Sequence, residues 1–224
     1  MYTERTTELW SLVTADLDTI DLAHAHDHIQ RVTHWAKKIA ESLQPDEPRF
    51  VELCVAAAIV HDLDNIPKES PDRALGGERS AIAAEGPLRG AGFCNDERAQ
   101  ITAALMTSSW SKGLPPTNQI GVVLQDADRL DAIGAIGILR NSACAQAISC
   151  RGNLVSFYNS SDPMGSGNRL LDDKRYAIDH YELKLLRLIE GFHTPLGKQE
   201  AQRRHQRLEV FLSWVEDECT MEAP

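Results

Sequence analysis

No stretch of this chain is apolar for long enough to cross a membrane; the longest such runs, 55–60 and 132–139, fall well short of the roughly 20 residues of a helical span. Basic clusters are scarce too. With 23 Lys and Arg against 33 Asp and Glu the formal net charge is −10, so duplex nucleic acid, whose phosphate backbone demands many cations, is not expected as a main partner. Short pairs such as Lys174-Arg175 and Arg203-Arg204 leave room only for small phosphorylated molecules. The five cysteines (54, 94, 144, 150, 219) are odd in number and include no Cys-x-x-Cys pair. Reduced core thiols are therefore expected rather than disulfides or zinc. Residues Met1 to Arg5 lack the basic region and apolar core of a signal peptide, which points to a cytoplasmic address. No low-complexity linker divides the 224 residues, and 42% hydrophobic content supports a full core. One domain over 1–224 is expected.

Convincing alternation of the strand type is missing, and what is present has helical period. Leu9, Leu12, Val13, Leu17 and Ile20 mark a first amphipathic helix; Ile29, Val32, Ala36, Ile39, Ala40 and Leu43 mark a second, ending before Pro45. From 51 to 60 the chain is apolar except for Glu52, the pattern of a fully buried central helix. A short helical piece is expected over 80–85, a turn over 86–92, and helix again over 96–106. Thr117 reads as the cap of a helix carrying Ile120, Val123, Leu124 and Ala127. The segment 151–172, rich in Gly, Ser and Asn, predicts a long loop, and Ile178, Tyr181, Leu185, Leu188 and Ile189 predict one more helix before the last, marked by Leu208, Phe211, Leu212 and Val215. The fold class is all-α.

The chemistry concentrates where the buried helix runs into His61-Asp62-Leu63-Asp64. Burying an ionised carboxylate is costly unless a cation compensates it, and a divalent metal does so well. The plainer alternative is a helix end whose His and Asp cap the backbone and face water. Adjacent helical side chains diverge by about 100°, so both reach one ion only if further ligands come from elsewhere. A His-rich patch at 24–28 and the acidic block Asp126-Ala127-Asp128-Arg129-Leu130-Asp131 are the sources on offer. Asp126 and Asp128, two apart on a helix, point to nearly opposite sides, so one of them at most serves.

The order His28, His61-Asp62, Asp128 resembles the HD-domain metal-dependent phosphohydrolase superfamily. The longer blocks 28–32, 59–64, 125–137 and 171–180 are similar to small bacterial HD proteins of the YedJ/YpgQ type. That resemblance implies an all-α, single-domain HD-type helical bundle with a core over about 21–140, C-terminal helices over 172–218 packed on it, and the loop 151–172 as a lid. It implies His28, His61, Asp62 and Asp128 as ligands of one divalent ion. Two imidazoles and two carboxylates suit Mn, Fe, Co, Ni or Zn better than Mg. The expected reaction is hydrolysis of a phosphate ester or anhydride in a nucleotide or other small phosphorylated metabolite. Asp64 would orient or deprotonate the water. Arg31, Lys68 and Arg129 would stabilise the phosphoryl oxygens, with His180 and Lys184 also facing the substrate. For Arg31 and Arg129 structural ion pairs with Asp131 or a glutamate are the alternative. Two-metal relatives carry histidines where this chain has Gly77 and Ser108. That departure argues for one ion, and it admits a second reading in which the chain is a nucleotide-binding protein that retained the metal and lost turnover. No membrane is expected as partner, and a homodimer is one arrangement open to the chain.

Overall fold

The computed structural model describes residues 3–15, 23, 25–64, 66, 70–152, 156–167 and 169–219. Among them the chain is helical with no strand, the sole β-type pairing being an isolated bridge between Ser156 and Tyr176. Among the described residues eight α-helices run α1 Glu4–Thr14, α2 His26–Leu43, α3 Pro48–Val60, α4 Gly76–Gly90, α5 Asn95–Met106, α6 Gln119–Asp131, α7 Gly134–Cys150 and α8 Pro195–Cys219. No helix among the described residues is long and apolar enough to cross a membrane.

Helix α3 is the axis. Pro48 at its first turn supplies a preset φ without wasting a hydrogen bond, and every residue from Glu52 to Val60 is buried. It packs against α1, α2, α4, α5 and α6. The alanines at 56–58, all fully buried, let neighbouring helices approach closely. Glu52, the one charge in this run, is bound by Thr3 Oγ1 at 2.6 Å and Arg5 Nε at 3.0 Å and is paired with Arg49. A buried carboxylate held this way ties α1 to the core rather than opening it.

Several local expectations shift. Helix α4 continues through Gly86 and Pro87, where a turn was expected, because buried Ala84 and Leu88 on either side keep one face on the core. Asn118, not Thr117, caps α6: its Oδ1 accepts from Gly121 N at 2.8 Å, while Thr117 Oγ1 reaches Ala103 O. Between 181 and 191 no α-helix forms; a π-type turn over Tyr181–Leu185 passes into a 3-10 turn over Leu186–Gly191. Cys54 and Cys144 are buried as expected, but Cys94 and Cys150 are exposed, and all five thiols are free.

Helices α6 and α7 meet at a corner. Gly134 adopts φ 75°, a left-handed conformation that glycine takes without strain, and a Cβ there would sit 3.0 Å from Arg204 Cβ. The chain turns on this residue and carries α7 back across the cleft.

The candidate metal centre

His28 enters from the first turn of α2, His61 from the C-cap of α3, and Asp128 from α6. Both rings are buried, at 1% and 6% exposure, while the Asp128 side chain keeps 36% and faces the cleft. Each ring is oriented from behind. His28 Nδ1 donates to Asp131 Oδ2 at 2.7 Å, and His61 Nδ1 donates to the Ala58 carbonyl at 2.8 Å. A carbonyl only accepts. The Asp131 carboxyl is ionised as well, because the His28 and Arg31 hydrogen bonds outweigh burial and hold its pKa well below the usual range. Both Nδ1 atoms therefore carry a hydrogen, and with the rings neutral both Nε2 atoms present lone pairs.

Those lone pairs face each other. His28 Nε2 and His61 Nε2 are 3.1 Å apart, and each lies 3.7 Å from Asp128 Oδ1. The circle through the three atoms has a radius of about 2.0 Å, the length of a bond from nitrogen or carboxylate oxygen to a divalent transition ion. Two imidazole nitrogens and one carboxylate oxygen converging at that radius fit such an ion. With a proton in its place the burden falls on one ring. Burial disfavours a charged His61, but the Asp128 hydrogen bond and charge overcome it and raise its pKa to about 8. Burial and the Arg140 charge push His28 down to about 4. Asp128 itself is held far below the carboxylate range, the His61 interactions prevailing over burial.

The centre lies in a cavity of 130 Å³ whose wall includes Asp62, Gly77, Ser108, Trp110, His180 and Lys184. Asp62 stands beside the three-atom group without belonging to it. Asp126 is turned to the opposite side of α6, where its buried carboxylate accepts from His193 N, Thr194 N and Thr194 Oγ1 at 2.7–2.9 Å. It fixes the start of α8 instead.

Three expected site residues are not on the cavity wall. Arg31 is spent on a bidentate pair with Asp131, at 2.6 and 3.0 Å, the ion pair weighed as its alternative. Arg129 bonds Gly191 O and Gln125 Oε1 and stacks on Trp110 at 4.9 Å, so it braces the wall from behind. Asp64 accepts from Arg79 Nε at 2.7 Å, outside the lining. Lys68 and His24 lie outside the described residues. His180 and Lys184 do line the cleft, His180 sharing a hydrogen with Asp173 Oδ2 at 2.7 Å. No described residue of 151–172 lines it; Arg169 folds that loop onto buried Asp179 with two bonds of 2.5 and 2.6 Å.

A wall of α7 escaped the sequence reading. Gly137, Arg140, Asn141 and Cys144 all face the cavity, and their spacing of three and four is one helical face. The stripe mixes glycine, cation, amide and thiol, so hydrophobic periodicity gave no sign of it. Asn141 Nδ2 donates to Ala177 O at 2.9 Å and joins this wall to the segment bearing His180.

The family model for the HD domain matches residues 26–133, which contain all the ligand-type residues. A protein of Bacillus subtilis described as uncharacterized protein YpgQ is 29% identical over 200 residues, covering 88% of this chain and 85% of its own. Its crystal structure in complex with ADP matches with a TM-score of 0.66 and 26% identity, over 96% of this chain and 94% of that one. A solved Lactobacillus plantarum protein matches with a TM-score of 0.74 and 27% identity, over 99% of this chain and all of its own. A solved HD-superfamily hydrolase from Bacillus thuringiensis is similar at 0.65 and 26%, each chain covered to 98%.

Proposed function

This chain belongs to the HD-domain superfamily, and on that premise we propose that it hydrolyses a phosphate ester or anhydride in a nucleotide or other small phosphorylated metabolite. The observation that carries the reading is the pair of Nε2 lone pairs 3.1 Å apart with Asp128 Oδ1 completing the triangle. Such an arrangement is suited to a divalent cation. His28, His61 and Asp128 would hold one divalent ion, with Asp62 on the adjacent wall as a fourth ligand. The ion, of the Mn, Fe, Co, Ni or Zn group, would polarise a phosphoryl oxygen and lower the pKa of a water toward neutrality. His180 and Lys184 on the facing wall are suited to the phosphoryl oxygens. The ADP complex of the YpgQ protein supports a nucleotide as the substrate class.

A second reading has support from Gly77 and Ser108. They line the cleft at the positions where the resemblance places the extra histidines of two-metal relatives, and neither supplies an imidazole. A protein that binds a phosphorylated ligand through its single ion without turnover would look the same. A panel of nucleoside mono- and triphosphates, assayed for released phosphate and pyrophosphate with Mn, Fe, Co, Ni, Zn and Mg in turn, tests both. Metal-dependent turnover of at least one substrate is expected. Tight binding of a panel member with no turnover under any metal would replace the enzyme reading with the binding one.

A further inference from the structure

We propose that Arg140 is a phosphate-binding residue of the cleft, a fixed guanidinium that receives the substrate's phosphoryl oxygens through the N–H groups its structural bonds leave over. The proposal deepens the phosphohydrolase reading and rests on it. Arg140 lies on the cavity-facing stripe of α7, with its side chain 15% exposed. Its Nε donates to Ala23 O at 2.8 Å, and one terminal nitrogen lies 3.2 Å from Asp131 Oδ2. A guanidinium has five N–H donors. Two are accounted for by these contacts, and among the described residues no other partner engages the rest.

The charge balance leads the same way. Among the described residues Asp131 is the one carboxylate paired with Arg140, and it is already matched by the bidentate Arg31. The two guanidiniums around Asp131 thus exceed it by one positive charge, and Arg140 lines the same cavity as His28 and Asp128. A guanidinium held at a cleft wall with N–H donors left over is a ready partner for an anion. Phosphoryl oxygens suit it well, because the guanidinium fork matches their geometry and charge-assisted bonds are the strong ones. The anchors on Ala23 and Asp131 also freeze a long side chain in advance, so little rotamer entropy is lost when the anion binds. Arg31 and Arg129, each occupied elsewhere, leave this position to Arg140.

The alternative is that Arg140 only props Asp131, and through it His28. Calorimetric titration of inorganic pyrophosphate into the full-length Mn-loaded protein separates the two, with metal content and thermal midpoint measured on each variant. Arg140→Gln should retain its metal and bind pyrophosphate weaker by about 10–100-fold, the worth of one or two charge-assisted bonds. Arg140→Lys cannot hold both anchors and still reach the anion, so a loss of about fivefold or more is expected there, and it decides the matter if the glutamine variant does not fold. Wild-type affinity in the folded variants overturns the proposal, as does loss of metal in parallel with pyrophosphate, which would make Arg140 a support of the ligands. If the wild-type protein binds no pyrophosphate or phosphate at all, the phosphohydrolase reading falls as well. Intact wild-type binding with equal variants removes the Arg140 assignment alone.

Discussion

His28 and His61 point their Nε2 atoms at each other across 3.1 Å, because Asp131 and the Ala58 carbonyl take the hydrogen on the far side of each ring. Two lone pairs at that separation repel unless a proton or a metal lies between them, and this competition gives the site a measurable pH dependence. With the metal absent His61 is protonated below about pH 8, so an entering ion must expel that proton. Apparent metal affinity should be flat above pH 8 and fall toward tenfold for each unit below it, with one proton released per ion. His28 stays neutral down to about pH 4 and adds no slope before then. Competition against a chelator of known affinity from pH 6 to 9 measures this, and a pH-independent affinity across the range would contradict it.

Asp131 sets the tautomer of His28 without facing the ion itself. An Asp131→Asn variant presents a neutral amide that accepts less well from Nδ1–H and no longer balances Arg31. Metal affinity should fall by about 10–100-fold. Nitrogen chemical shifts of the His28 ring should show the fixed tautomer lost. Unchanged affinity with an unchanged tautomer would mean that packing alone orients the ring.

The two acids of the block 126–128 should fail in different ways. Asp126→Ala leaves the His193 and Thr194 amides and the Thr194 hydroxyl without their acceptor, and should cost about 3 kcal/mol or more of stability while sparing metal binding. Asp128→Ala should spare the fold, because that carboxylate is partly exposed, but abolish metal retention and any metal-dependent hydrolysis. His61→Ala should likewise abolish metal retention. Denaturation midpoints beside metal content per chain read out both effects, and an exchange of the two phenotypes would place the ion on the other side of α6.

Gly77 looks like the place to rebuild a second metal site, and the structure argues against it. A Cβ there would lie 2.5 Å from the backbone oxygen of Leu105, which cannot swing away as a side chain does. Its φ is not left-handed, so the obstacle is packing between α4 and α5 and not backbone strain. Gly77→His, alone or with Ser108→His, should lower stability by about 1–3 kcal/mol and leave about one ion per chain. A well-folded double variant holding two ions by elemental analysis would show that α4 can move.

Most of the helices were legible in the sequence because burial imposes its period on them, and His61-Asp62 stood out as a polar pair at the end of an apolar run, while His28 was set apart from the patch 24–28 by resemblance alone. Asp128 over Asp126 followed from the block's resemblance to a family and not from periodicity, which treats the two alike. Arg31 and Arg129 were read as substrate cations from proximity in sequence. Which way a guanidinium turns depends on partners far along the chain, Asp131 for one and Gly191 for the other. The α7 wall was invisible for a related reason: Gly137, Arg140, Asn141 and Cys144 share no property except their facing. The turn at 181–191 misled because π and 3-10 segments bury apolar residues at nearly the spacing of an α-helix.

The corner at Gly134 makes the acid and the cation of this cleft parts of one mechanical piece. Asp128 and Asp131 precede it on α6, Arg140 and Asn141 follow it on α7, and all but Asp131 look into the same cavity. Adding or deleting one residue just past the bend, within α7 between 134 and 140, would rotate Arg140 by about 100° around that helix, turning it out of the cleft while the ligand triangle, built on the other side of the corner, stayed whole. Length at this bend therefore acts as a phase setting between holding an ion and meeting an anion. Chains that differ there by a single residue should part in what they bind beside the metal before they part in the metal itself.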